Sequence, residues 1–270
     1  GNNCENFTMQ QWAHQLGAAA NYGSSGIRVA ASSSFIYASL LDGTGVTARL
    51  SKTAAGLGTV FTPANTVLVE TSLTAVEGAG IAYDSVSDSL WTSYATLSTG
   101  AGGVVGSDMR VAQGFSTDIV NTGVVNSLTI DQTLGAFPAT AAPVLSAAKA
   151  PNGTIGYAYF YNESGAAPGV NSHLYYGVRG GTTAAPVFGD NLVYNAVQGA
   201  GANLVGAHPS LIFDPSNNPL ITFLDAGTTS PANTGGLMLA RSPSGGAYFT
   251  VDRVDGIGTT PTVGRFSSVD

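Results

Sequence analysis

The feature that most constrains this 270-residue chain is a repeat of about sixty residues. From Pro209 the chain reads PSLIFD, a turn at PSNN, PLITFLD to Asp225, a Gly/Thr/Pro loop, GLMLARS around Arg241, a turn at PSGG, and AYFTVDRVDG to Gly256. Four short apolar runs separated by turn residues predict a four-stranded antiparallel meander. Such a unit is too thin to bury both of its faces, so repeating it predicts sheets packed one against the next.

Two markers set the period. The second-strand runs YASLLD, LWTSYA, YAYFYN and LITFLD overlay without gaps and end at Asp42, Ala95, Asn162 and Asp225. Third strands end in a small residue followed by a long polar one, at Lys52, Gln113, Arg179 and Arg241, which in corresponding places look like a ring of long polar side chains. The complete repeats fall at about 26–71, 80–131, 143–197 and 209–256. Upstream, ENFTMQQWAH from Glu5 to His14 overlays a fourth strand, and PTVGRF from Pro261 overlays a first strand. The expected order is an N-terminal outer strand, four complete units and a C-terminal inner strand, as one domain over 1–270 or a piece of a longer one completed by a second chain.

Several strand runs, such as LIFD and YAYFYN, are apolar nearly throughout, as expected where both sheet faces are covered. The predicted class is all-β, a β-propeller of four-stranded antiparallel blades. Over essentially its whole length the pattern resembles bacterial secreted β-propellers of the sialidase/BNR-like type. Their Asp-box is not met: the nearest stretch, SVSDSLW from Ser85 to Trp91, has the wrong spacing. The resemblance therefore implies an architecture and not sialidase activity.

Composition narrows the function classes. Lys+Arg 9 against Asp+Glu 16 gives a net charge of −7, which repels phosphate and argues against nucleic acid as a partner. Charged residues are only 9% of the chain, and Gly 36 helps fill the deficit, which suits a secreted or cell-surface protein of short strands and tight turns. The one cysteine, Cys4, excludes an internal disulfide and is either a free thiol or bridged to another chain. No apolar run reaches the ~18 residues of a membrane helix.

Ligand sites are expected at one end of the sheets, where loops joining second to third strands (Asp42–Gly45, Thr96–Ser107, Asn162–Ser172, Asp225–Gly236) meet those joining one unit to the next (Ser72–Gly78, Gln132–Ala142, Gly199–His208, Gly256–Pro261). Asp42, Asn162 and Asp225 share one repeat position there, with Glu163 beside Asn162, Glu77 on the preceding inter-unit loop, and His173 and His208 at loop margins. Oxygen-rich side chains in this pattern suit a glycan or Ca²⁺, or else cap turns by accepting backbone N–H bonds. No catalytic constellation is apparent: HExxH, a calcium loop and a nucleophile elbow are all missing. No cofactor is expected, with Ca²⁺ the one candidate ion. Paired carboxylates among Asp42, Glu77, Glu163 and Asp225 could support glycosidic acid/base chemistry.

Tyr159, Tyr161, Tyr175 and Tyr176 could stack on sugar but more simply fill space between sheets. Sequons begin at Asn6, Asn152 and Asn162. The leading expectation is a non-catalytic secreted or surface module that binds glycan or protein through loops on one face. The alternatives are a carbohydrate-active enzyme, hydrolase or lyase, and a structural subunit of an extracellular assembly.

Overall fold

The structure, a computed structural model, describes residues 28–41, 47–54, 66–71, 75–85, 89–100, 103–115, 126–131, 145–162, 172–181, 186–195, 205–225 and 236–255. Every regular element among them is a strand. The first sheet holds β1 (Arg28–Ala31), β2 (Phe35–Leu41), β3 (Thr47–Ala54) and β4 (Thr66–Thr71). The second holds β5 (Ala75–Asp84), β6 (Ser89–Gly100), β7 (Gly103–Phe115) and β8 (Asn126–Asp131). The third holds β9 (Leu145–Lys149), β10 (Ile155–Asn162), β11 (Ser172–Gly181) and β12 (Pro186–Asn195), and the fourth β13 (Val205–Phe213), β14 (Pro219–Asp225), β15 (Gly236–Arg241) and β16 (Thr250–Asp255). Each sheet is a meander in chain order, antiparallel throughout. The sixty-residue repeat is thus one sheet per unit.

Side-chain hydrogen bonds close the turns between first and second strands. Ser32 Oγ accepts from Phe35 N at 3.0 Å, and Asp214 Oδ1 accepts from both Ser216 N and Asn218 N at 2.8 Å. Those bonds, first to the Asn218 backbone and side chain and then to Ser216, hold the Asp214 carboxyl below its ordinary pKa. Asn217 takes φ 68°, the left-handed conformation that asparagine tolerates.

The first strands are the spine of the stack. β5 packs against β1 and β2, β9 against β5, and β13 against β9 and β10. Their neighbours advance in step: Leu145 and Ala147 lie beside Gly80, Lys149 Nζ meets Asp84 Oδ1 at 3.3 Å, and Leu211 N donates to Ser146 Oγ at 3.1 Å. The first strands therefore run parallel to one another, and all four sheets share one entry end, where first strands begin and second strands finish. Apolar cores fill the gaps between sheets. One joins Tyr37, Ile81 and Leu90; a larger one joins Leu174, Tyr176, Val205, Leu211, Ile221 and Phe223 with their neighbours.

A polar seam crosses the gap between the first two sheets. Ser39 and Thr92 occupy the same place in their second strands, and their hydroxyl oxygens are 2.6 Å apart while Thr92 Oγ1 donates to Gly80 O at 3.0 Å. With the Thr92 proton on Gly80 O, Ser39 donates to Thr92. Thr92→Val keeps the volume but leaves the buried Ser39 hydroxyl without its acceptor, which costs about 1–3 kcal/mol. Urea unfolding is expected to show that loss, with part of it recovered in the double variant Ser39→Ala/Thr92→Val.

Three sequence expectations change. The inter-unit loops were expected to run through Gly78 and His208, yet β5 begins at Ala75 and β13 at Val205. Both strands carry a register shift in the early part, between Glu77 and Gly80 and between Val205 and Ser210. A bulge lets Gly and Pro stand inside a strand, so these turn-forming residues do not end it. The expected loop from Thr96 to Ser107 is mostly hairpin, since Leu97↔Gly106 through Gly100↔Gly103 are paired. The long polar residues of the third strands do not form one ring: Lys52 pairs with Tyr37 and Arg241 with Leu220, but Gln113 pairs with Trp91 and Arg179 with Ile155, one and two places away from the equivalent position. The outer strand expected at Glu5–His14 and the inner strand expected from Pro261 lie outside the described residues.

Candidate functional site

The entry end of the third and fourth sheets gathers buried titratable side chains. Asp225 ends β14 opposite Val205 and Gly236, and His208 lies in the bulged part of β13. His173 is the second residue of β11, opposite Tyr161 and Asn195. The three are 7%, 2% and 8% exposed. Burying a carboxylate and two imidazoles is costly unless other groups compensate them, so three buried titratable residues at one end of two sheets are informative.

The local sequence explains how β13 passes close to β11. In Val205-Gly206-Ala207-His208-Pro209 the strand must reach β11 of the neighbouring sheet. Gly206 has φ +89°, and a Cβ there would stand 2.8 Å from His173 O. Only glycine permits both this conformation and this approach. His208 itself has φ 53°, which is rare for a residue with a side chain and further disfavoured before proline, where extended conformations are preferred. Such a conformation costs of order 1–3 kcal/mol and persists where the surroundings over-determine it, commonly at functional sites.

Aromatic rings line the same sheet behind His173. Its imidazole meets the Tyr175 ring edge-on with centroids 6.4 Å apart, and Tyr175 stacks on Tyr159 at 5.7 Å. Tyr157, Tyr159 and Tyr176 are buried and fill space between strands and sheets.

The other expected site residues are distributed as follows. Glu77 is on β5 opposite Ala95, at the entry end of the second sheet, and Asn162 ends β10 opposite Ser172. Cys4, His14, Asp42 and Glu163 lie outside the described residues. Among the described residues no three His, Cys, Asp or Glu side chains cluster as a metal site, and no helix is long and apolar enough to cross a membrane. Sequence reasoning named His173, His208 and Asp225 but put the histidines at loop margins; it missed Gly206. The signal was the run GAHP, whose Gly and Pro look like loop punctuation when nothing marks a bulge.

The sequence matches no protein-family model and no curated protein. Its shape does match solved structures. A thermostable family-43 glycoside hydrolase aligns over 89% of this chain and 74% of its own, at 11% identity and TM-score 0.48. Bacillus subtilis arabinanase Arb43A aligns over 88% and 77%, at 12% identity and TM-score 0.44. Prolyl oligopeptidase B from Galerina marginata aligns over 87% of this chain and 29% of its own, at 8% identity and TM-score 0.40.

These findings correct the leading expectation. Two of the three neighbours are glycoside hydrolases. The non-catalytic glycan- or protein-binding module is therefore set aside. The three neighbours give no support to the sialidase/BNR type, and at these similarities they assign no role to any residue of this chain.

Proposed function

We propose that this chain is a carbohydrate-active enzyme that cleaves glycosidic bonds on a β-propeller scaffold, with its chemistry at the entry end of the third and fourth sheets. The observation that carries the reading is the burial of Asp225, His208 and His173, each at the same end of two adjoining sheets, with His208 held at positive φ before Pro209. Glycosidic cleavage needs a proton donor for the leaving oxygen and a second group to activate water or to attack the anomeric carbon. Asp225 is the proposed acid/base. Glu77, at the same end of the second sheet, is the proposed partner carboxylate. The histidines are the proposed positioning residues for Asp225.

The scaffold reading is supported by the parallel first strands and by each sheet packing against the next, the arrangement that radial stacking of twisted sheets requires. The test is turnover. The purified chain, offered a panel of plant and microbial polysaccharides and chromogenic glycosides, is expected to release reducing ends from at least one class. Absence of release or elimination products across the panel, from protein shown to be folded by circular dichroism, would overturn the reading.

A further inference from the structure

The opposite end of the stack carries a separate chemical feature. The hairpin joining β9 to β10 contains Asn152-Gly153-Thr154, the acceptor pattern for N-linked glycosylation, and it is the only complete one among the described residues. Its geometry is well defined. Ala150 N donates to Thr154 O at 2.7 Å and Gly153 N to Ala150 O at 2.9 Å, which closes the turn. Asn152 is exposed; its backbone N donates to Asn217 Oδ1 at 2.8 Å, and its Oδ1 accepts from Thr154 N at 3.0 Å. The side-chain oxygen is thereby fixed against its own backbone in a residue that is exposed at the turn. Space is open around the tip, because a Cβ at Gly153 would meet nothing within 4 Å.

We propose that Asn152 is an acceptor site for an N-linked glycan. The donor class is an oligosaccharide carried on a lipid diphosphate. The bond from Asn152 Nδ2 to the sugar C1 forms as the C1–O bond to the diphosphate breaks; the amide nitrogen gives its proton to a base of the transferase, and nothing is oxidised or reduced. A glycan there would project from the turn end and leave the entry end clear, so occupancy and glycosidic turnover are independent of one another.

The chain is to be produced through the secretory route of a glycosylating eukaryotic host and mapped by peptide mass spectrometry. Most of the peptide spanning 150–154 is expected to carry glycan, and peptide N-glycosidase in heavy-oxygen water should convert Asn152 to labelled aspartate. Asn152→Gln and Thr154→Ala should each abolish that signal while leaving any glycan at Asn6 or Asn162 in place. A cell-free reaction with purified oligosaccharyltransferase and lipid-linked oligosaccharide covers the case of poor secretion. Secreted, folded chain with Asn152 bare, or no cell-free transfer to that peptide, would overturn the proposal.

Discussion

Tyr176→Ala is expected to lower stability by about 3–5 kcal/mol, the usual cost of emptying a buried aromatic site. Tyr176 is 2% exposed and belongs to the core cluster that joins the third and fourth sheets. Its ring meets Phe213 at 6.4 Å and Phe249 at 5.5 Å, both edge-on, the favoured arrangement for aromatic pairs. Two glycines make room for it. A Cβ on Gly156 would approach Tyr176 Cε2 to 3.0 Å, and one on Gly246, at φ +100°, would collide with the same ring. The site is therefore walled by backbone as well as side chains and collapses poorly when emptied, which favours the upper part of the range.

The phenol adds a pH signature. Burial raises the Tyr176 pKa well above its ordinary value. The folded chain then keeps this proton while the unfolded chain gives it up above roughly pH 10, so the group's stabilisation is full below that point and falls as pH rises. Denaturant midpoints from pH 8 to pH 11 should show a decline that is shallower in Tyr176→Phe. Equal slopes in the two proteins would mean that the ring is solvated.

How much of this was visible in the sequence depends on the kind of signal. The second strands were legible because LWTSYA, YAYFYN and LITFLD are apolar runs bounded by turn residues, and each became a central strand. First-strand starts were not: Gly206 and Pro209 punctuate a chain read locally, whereas packing on β11 keeps Val205–Phe213 in the sheet through a bulge. Register was invisible as well. Gln113 and Arg179 match Lys52 and Arg241 in residue order, but pairing partners depend on where each hairpin closes, which residue order does not encode. The same limit applied to the site. Asp225, His173 and His208 stood out by type and position, while their burial is a property of the folded stack that residue order does not display. The Ser39–Thr92 seam was equally hidden, since a hydroxyl in a strand looks alike whether it faces solvent or another sheet.

Asp225→Asn is expected to lower kcat on a substrate found in the polysaccharide panel by about 10²–10⁴-fold, the share general acid–base catalysis supplies. The amide keeps the shape of the carboxylate and its place at the end of β14 opposite Val205, but it cannot deliver or accept the proton. His208 needs a subtler replacement because its backbone is unusual. Asparagine tolerates the left-handed conformation, so His208→Asn removes the imidazole while retaining φ near 53°. A β-branched replacement such as His208→Val imposes a backbone penalty in addition. If the imidazole acts on Asp225, His208→Asn should reduce kcat and displace the pH–rate profile with little change in melting midpoint, whereas His208→Val should lower the midpoint as well. If strain alone mattered, His208→Asn would retain full rate and an unmoved profile. Unchanged turnover in Asp225→Asn, with the fold intact by circular dichroism, would remove this end of the third and fourth sheets as the seat of the chemistry.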